Sequence, residues 1–182
     1  MKRVLVPLAQ GAEEMEAVIV VDVLRRAGLE VVLAGVAGRD PVLCSRHVKL
    51  VPDCALADAQ GPWDLIVLPG GAQGAETLAA SKEIHALLKQ QEADGKLIGA
   101  ICAAPLALQA AGVGKGKVFT SHPSVAEKLA GHGVYLPDRV VKEGKLVTSR
   151  GPGTAFEFAL ALIEELLDRD AAAKVAAPLL VE

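Results

Sequence analysis

One short apolar run that ends in a cysteine constrains this chain more than any other feature. Residues 96–101 (KLIGAI) are almost wholly apolar and too few for a helix, which is typical of a strand covered on both faces of a parallel sheet. Cys102 ends the run, small residues follow, and Pro105 opens a segment of good helix formers. The pattern predicts a sharp strand-to-helix turn with Cys102 at its tip, the arrangement that presents a nucleophile in other α/β proteins.

Two interpretations of Cys102 follow from the residues alone. Free backbone N–H groups and the positive end of a following helix would favour the thiolate, and cysteines in that position have pKa values lowered to roughly 5–6. Free cysteine is also among the most buried residue types, and the end of an apolar strand is an ordinary place for an inert thiol. Spacing alone leaves both interpretations open.

Composition narrows the class of protein. The 182 residues fit one domain, 1–182, with no convincing internal boundary, and 52% hydrophobic with 3% aromatic residues implies an aliphatic core. A net charge of −3 with mixed signs offers no basic patch for nucleic acid or a membrane surface. Three cysteines at no metal-like spacing indicate free thiols in a reducing setting, so we expect a cytoplasmic protein without a metal site.

Strand-like and helix-like segments alternate along the chain. Strands are predicted at 3–9, 29–34, 64–68, 96–101 and 117–121, with short hairpins within 35–52 and 140–149. Helices are predicted at 13–27, 75–80, 82–94, 105–111, 124–130, 155–167 and 169–176. This alternation predicts an α/β fold with a doubly wound, mostly parallel sheet sandwiched by helices.

Several further residues admit a structural and a functional interpretation. Glu16 belongs to an acidic first helical turn, where it would complement the helix dipole. Gly71 ends a strand-to-glycine turn whose N–H groups can approach a ligand closely. His122 precedes a proline and is an ordinary loop histidine on that ground alone. Cys44 and Cys54 are interpreted as structural or surface thiols.

A set of motifs in one order resembles a known family. The motifs are GAEEME (11–16), LPGG (68–71), AICA (100–103), HP (122–123) and TSRGPGT (148–154). Over essentially its whole length the chain resembles the Parkinsonism-associated deglycases of the ThiJ/PfpI superfamily. The resemblance implies a flavodoxin-like sandwich, a homodimer, and chemistry that needs no cofactor or metal.

The resemblance also assigns roles to individual residues. It implies that Cys102 is a reactive thiol, held as thiolate and easily oxidised to sulfinate, and that Glu16 is a protonated carboxyl bonded to its sulfur. It places the N–H groups of Gly71 and Ala103 in an oxyanion pocket, with His122 nearby as a third catalytic candidate.

Other matching positions concern the homodimer and the limits of the resemblance. Arg46 matches an arginine contributed across the dimer, and Met15 and Arg26 match interface positions. Ala104 stands where the family usually has glycine, and Val51 replaces a cysteine near the dimer contact. Ala103 stands where the superfamily's proteases have histidine, which makes peptidase activity unlikely.

Two functions of different classes follow from the resemblance. The first is a cysteine-dependent deglycase or glyoxalase that acts on methylglyoxal-type dicarbonyls or on their early adducts with amines and thiols. The second is a redox sensor or holdase chaperone of the oxidative-stress response that signals through oxidation of Cys102. Both depend on the same residue.

Overall fold

A seven-stranded sheet forms the centre of the computed structural model, which describes residues 1–181. The strands are β1 (Arg3–Leu8), β2 (Glu30–Gly35), β3 (Val42–Leu43), β4 (Lys49–Leu50), β5 (Cys54–Ala55), β6 (Leu65–Leu68), β7 (Leu97–Ile101), β8 (Val118–Phe119), β9 (Val134–Tyr135), β10 (Val140–Glu143) and β11 (Leu146–Ser149). The order in the central sheet is β10-β11-β7-β6-β1-β2-β5. Only the β10–β11 pair within it is antiparallel, so the predicted mostly parallel sheet is confirmed.

Helices cover both faces of this sheet. They are α1 (Glu14–Arg26), α2 (Ala72–Ala80), α3 (Lys82–Ala93), α4 (Pro105–Ala111), α5 (Ala155–Leu166) and α6 (Arg169–Leu179), with single 3₁₀ turns at Leu56–Asp58, Pro123–Val125 and Pro152–Thr154. Helices α1, α5 and α6 pack on one face, and α2, α3 and α4 pack on the other. This is the doubly wound, flavodoxin-like arrangement that the alternation of segments predicts.

The alternation of side chains along each central strand divides the core in two. On β6, Leu65 and Val67 pack with α1 and α5, whereas Ile66 and Leu68 pack with α2 and α3. All four side chains are buried. A strand that is covered on both faces needs apolar residues at every position, which is why these strands appear in the sequence as continuous apolar runs.

Two predicted elements differ from the structure. Residues 124–130, predicted as a helix, form only the 3₁₀ turn Pro123–Val125 and further turns, because their N–H groups bond mainly to carbonyls three residues back. The strand predicted at 117–121 shortens to β8, which pairs with β9 outside the central sheet. No helix within residues 1–181 is both long and apolar enough to cross a membrane.

The contact of α5 with β7 provides a test of the core. Phe158 is 0% exposed and packs against Gly99 of β7. A Cβ at position 99 would lie only 3.0 Å from the Cζ atom of Phe158, so the glycine leaves room for the ring. We expect Phe158→Ala to lower the free energy of unfolding by about 3–5 kcal/mol, measured by urea denaturation. Phe156→Ala on the same helix is the control, because Phe156 is 36% exposed and its loss should cost far less. Equal losses would contradict this packing.

Candidate functional site

The carboxyl ends of the central strands meet where the order of the sheet reverses. From this point the chain proceeds through β1 and β2 to one side and through β6, β7 and β11 to the other. Open parallel sheets leave a crevice at such a switch point. Glu16 on α1, Gly70 and Gly71 after β6, and Cys102 after β7 all lie at this crevice.

Cys102 occupies the predicted sharp turn between β7 and α4. Its backbone has φ +64°, a left-handed conformation that costs a residue with a Cβ about 1–2 kcal/mol. Two hydrogen bonds hold it there: the Cys102 N–H donates to the Ser149 carbonyl at 3.0 Å, and the His122 N–H donates to the Cys102 carbonyl at 2.8 Å. The turn is therefore fixed by neighbouring segments rather than by local preference, as is common at functional sites.

Glu16 lies beneath this turn and does not cap α1. Its side chain is 0% exposed, and Oε2 accepts a hydrogen bond from the Gly70 N–H at 2.7 Å. Oε1 is also buried and has no hydrogen-bond partner among the described residues. Burial raises the pKa of this carboxyl from 4.5 to about 7, against the opposing effects of the Gly70 N–H and the Cys102 thiol. Glu16 therefore lies in the acidic first turn of α1 as predicted, but its side chain bonds to Gly70 and not to the N–H groups of its own helix.

The thiol of Cys102 and the carboxyl of Glu16 interact directly. Burial first, and then the negative charge of Glu16, raise the pKa of Cys102 to about 12, although the N–H groups of Gly71 and Ala103 bond to the sulfur and lower it. The expectation of a thiol pKa near 5–6 is therefore wrong for the state in which Glu16 is ionised, because the sequence does not reveal this burial. Two adjacent acids of this kind titrate as a coupled pair, which holds two protons below about pH 7 and one proton, on either group, above it.

The glycines after β6 permit the close approach of these groups. A Cβ at Gly70 would lie 2.5 Å from the Cys102 Cβ and 2.7 Å from Glu16 Oε2, which no side chain can occupy. Gly71 has φ +86° and directs its N–H to the sulfur. Gly71 was a sequence candidate, whereas the role of Gly70 was missed. The signal for Gly70 is the pair of consecutive glycines in this turn, of which Gly70 is the first.

A cleft of about 700 Å³ opens above the thiol. Cys102, Ala103, Gly71, Arg46 and His122 all line it, so the structure brings these predicted site residues together within one chain. Arg46 is exposed, and its guanidinium donates to the Ser45 carbonyl at 3.1 Å. Its predicted reach across a dimer stays a prediction.

The environment of His122 defines one of its ring nitrogens. Nδ1 accepts the Ser124 N–H at 3.2 Å and lies 2.7 Å from the Ser124 hydroxyl. Because Nδ1 faces a backbone donor, the neutral ring carries its proton on Nε2. His122 is half-buried in the wall of the cleft, where this N–H can donate to a bound oxygen.

Carboxylates at the mouth of the cleft form a network that the sequence did not reveal. The Ser45 hydroxyl lies 2.7 Å from Glu13 Oε2 and 2.8 Å from Glu14 Oε2. The Arg46 N–H donates to Glu14 Oε1 at 2.8 Å. Burial raises the pKa of Glu14, but these hydrogen bonds outweigh it and the pKa is lowered overall. The network fixes the segment that carries Arg46 against the start of α1.

The remaining predicted residues lie away from the thiol. Met15 is 53% exposed on α1, and Arg26 near the end of that helix pairs with Asp22 at 3.0 Å. Cys44 is buried beside the cleft, and burial followed by the charges of the nearby glutamates raises its pKa to about 11. Cys54 is half-buried on β5 at the edge of the sheet. Within residues 1–181, no group of three or more His, Cys, Asp or Glu is arranged to hold a metal ion.

The raised pKa of Glu16 predicts a pH-dependent stability. Between pH 4.5 and 7 the folded chain keeps the proton on Glu16, whereas the unfolded chain has released it. The contribution of Glu16 to the free energy of unfolding is therefore complete below pH 4.5 and declines as the pH rises to 7. The shift corresponds to about 3 kcal/mol. We expect the difference in unfolding free energy between the wild type and Glu16→Gln to fall by about this amount as the pH rises from 4.5 to 7. Denaturant titrations at a series of pH values measure this difference.

Glu14→Gln is the control for this measurement. Because the pKa of Glu14 is lowered in the folded chain, its contribution to stability is lost as pH falls, which is the opposite sign. A difference between wild type and Glu16→Gln that stays constant from pH 4.5 to 7 would show that Glu16 is ionised throughout.

Comparison with known proteins places this site in a family. The DJ-1/PfpI family matches residues 2–165. The Parkinson disease protein 7 homolog of Danio rerio is 53% identical, with 100% of this chain and 98% of the relative aligned. The glutathione-independent glyoxalase DJR-1.2 of Caenorhabditis elegans is 45% identical over 86% of this chain and 84% of its own length.

The crystal structure of Drosophila melanogaster DJ-1beta superposes with a TM-score of 0.97 at 50% identity, covering 100% of this chain and 98% of that chain. The chain belongs to the DJ-1/PfpI family.

Proposed function

We propose that this protein is a cysteine-dependent glyoxalase and deglycase that converts methylglyoxal-type dicarbonyls, free or as early adducts on amines and thiols. The observation that carries the proposal is the buried Glu16 carboxyl against the Cys102 thiol, at the base of an open cleft. A nucleophile that is paired with an acid of pKa about 7 has both partners of a covalent mechanism in one place. A glyoxalase among the relatives supports the same chemistry.

The first step joins the substrate to the sulfur. The Cys102 thiolate adds to the aldehyde carbon, an S–C bond forms, and the carbonyl π electrons move to oxygen. The N–H groups of Gly71 and Ala103, which bond to the sulfur in the free protein, are close enough to stabilise this oxygen. The oxygen takes the proton of Glu16, which yields a hemithioacetal and a carboxylate. With an adduct as substrate, the same carbon already carries a hydroxyl group, so the bond to the amine or thiol breaks as the bond to Cys102 forms, and the leaving group takes the proton of Glu16.

The second step is an internal transfer of a proton and an electron pair. The Glu16 carboxylate removes the hydrogen from the former aldehyde carbon and gives the proton to the neighbouring carbonyl oxygen, so an enediol forms. Glu16 then takes the hydroxyl proton of the former aldehyde carbon and gives it to the neighbouring carbon, which leaves a thioester of lactate. Water then cleaves the C–S bond and restores the thiol. One carbon is oxidised and its neighbour is reduced by the same electron pair, so the reaction balances without a cofactor.

Glu16→Gln separates acid–base catalysis from thiol reactivity. Glutamine has a similar shape and donates a hydrogen bond but cannot carry a proton between two carbons. We expect methylglyoxal turnover to fall at least ~10²-fold, the usual contribution of general acid–base catalysis. Alkylation of Cys102 by iodoacetamide at pH 7 should persist, because the charge that raises its pKa is gone.

Two further variants complete this experiment. Cys102→Ser, assayed under metal-free conditions, should abolish turnover, and Glu16→Leu should slow alkylation because it offers no hydrogen bond to the thiolate. Wild-type turnover in folded Glu16→Gln would remove Glu16 from the mechanism.

A second candidate function is that of a redox sensor or holdase chaperone. The supporting observation is that Cys102 is half-buried in an open cleft, where an oxidant such as hydrogen peroxide can reach it, whereas Cys44, in the wall of the same cleft, is only 3% exposed. Backbone N–H groups beside the sulfur would stabilise a sulfinate. The Glu16→Gln experiment distinguishes the two functions, because a sensor requires no turnover.

We also propose that the protein works as a homodimer. Met15 and Val18 are large apolar side chains exposed on α1, and Val48 and Val51 are exposed in and near the β3–β4 hairpin. Hydrogen bonds of Ser45 and Arg46 to Glu13 and Glu14 join this hairpin segment to the start of α1, and neighbouring exposed apolar side chains are typical of an interface. Such a contact would also bring Arg46 near the cleft of the partner.

The mass in solution tests the dimer. We expect light scattering at micromolar concentration to return twice the 18.8 kDa of one chain. Met15→Glu should shift the protein toward the monomer, since it places a charge in the proposed contact. Val134→Glu is the matched control, because Val134 is equally exposed, at 56%, on β9. A monomer mass for the wild type would remove the role of Arg46 in trans.

A further inference from the structure

A second cationic pocket lies beside the cleft, next to the end of β11. Ser149, the last residue of β11, pairs in register with Ile101, the last residue of β7. The residues that follow, Arg150 and Cys102, therefore leave the sheet side by side, at the roughly 5 Å spacing of neighbouring strands. The hydrogen bond from the Cys102 N–H to the Ser149 carbonyl ties these two strand ends together.

This pocket and the active-site cleft share a wall. The pocket has a volume of about 320 Å³, and its lining includes Arg139, Arg150 and residues 151–154. His122 and Pro152 line both the pocket and the cleft above Cys102. The two spaces are therefore adjacent, and a ligand that reaches from the thiol to the second space must pass His122 and Pro152.

The two arginines of this pocket differ in their charge balance. Arg139 is neutralised by Glu157 at 2.7 Å, and it also donates to the Gly153 carbonyl. Arg150 forms no salt bridge with any residue in 1–181. Its Nη1 donates to the Pro137 carbonyl at 3.2 Å, while Nε is shielded from solvent and has no acceptor among these residues. The pocket thus contains one uncompensated positive charge and one unsatisfied N–H.

The chemistry of this guanidinium selects a class of ligand. Arginine N–H groups bind carboxylates through charge-assisted hydrogen bonds, and Nη2 of Arg150 forms no hydrogen bond with any residue in 1–181. One uncompensated charge matches a monoanionic carboxylate better than a phosphate dianion.

We propose that the pocket is a subsite for a carboxylate on the substrate, held by Arg150. The preferred substrates are then α-oxoaldehydes, or their adducts, that carry a carboxylate a few bonds from the aldehyde carbon. This assignment rests on the proposed function, since it deepens the specificity of the same cysteine. It gives a role to the RGPGT loop, which follows β11 and does not enter the proposed reaction steps.

A pair of matched substrates tests the assignment by turnover. The uncharged one is α-oxopentanal, and the charged one is its analogue with a carboxylate in place of the terminal methyl group. We expect the wild type to prefer the charged substrate in kcat/KM, and Arg150→Gln to lower the ratio of the two values at least ~10-fold. Arg150→Lys keeps the charge without the planar fork, so an intermediate ratio is expected.

The control for charge is the double variant Lys142→Gln/Glu164→Gln, which removes a cation together with its carboxylate outside the pocket. The ratio should stay within about twofold, because the charge in the pocket is unchanged. An equal fall for both substrates in Arg150→Gln would mean that Arg150 is only structural. No preference in the wild type would overturn the subsite.

Binding of an unreactive probe separates this inference from the proposed function. Calorimetry with levulinate, a monoanion with a methyl group in place of the aldehyde, should show binding to the wild type and a loss of at least ~10-fold in affinity for Arg150→Gln. Equal affinities would overturn the subsite, and tighter binding of inorganic phosphate than of levulinate would overturn the choice of a carboxylate. If neither aldehyde is turned over, the proposed function fails, while levulinate binding still decides the subsite.

Discussion

The site depends on one interaction, the contact of the Glu16 carboxyl with the Cys102 thiol in a buried space. Two acids that share such a space cannot both be ionised at neutral pH, because each charge is poorly solvated and repels the other. Burial is the larger cause, and it raises the pKa of both groups. The pair therefore stores one proton that it can release to a substrate and take back. The backbone N–H groups of Gly70, Gly71 and Ala103 surround this pair and donate to its oxygen and sulfur atoms.

Three separate segments build the pair, and the topology of the sheet brings them together. Glu16 comes from α1, Cys102 from the turn after β7, and the N–H groups of Gly70 and Gly71 from the turn after β6. Parallel strands align their carboxyl ends at one edge, so residues distant in sequence converge there. A doubly wound sheet therefore places turns, free N–H groups and helix starts together at the carboxyl edge of its strands.

Local strain accompanies this arrangement. Cys102 is left-handed without being glycine, Glu16 Oε1 is buried without a partner among residues 1–181, and Gly70 leaves no space for a Cβ. Each feature costs stability, and none would survive unless the surrounding core over-determined it. That core is the aliphatic packing of both sheet faces, with Phe158 against the glycine of β7. Rigid packing thus maintains a site that local preferences alone would not form.

The sequence by itself determined the fold class, the strand-to-helix turn at Cys102, and the family motifs. These follow from local signals: apolar runs, small residues, prolines and glycines act on their own neighbours. Only the tertiary structure decided that Glu16 turns inward, that Gly70 packs between carboxyl and thiol, and that Arg150 lies beside Cys102. It also decided that residues 124–130 are not a helix and that burial raises the thiol pKa. The physical reason is that burial, register and desolvation arise between segments far apart in the chain, and no local pattern records them.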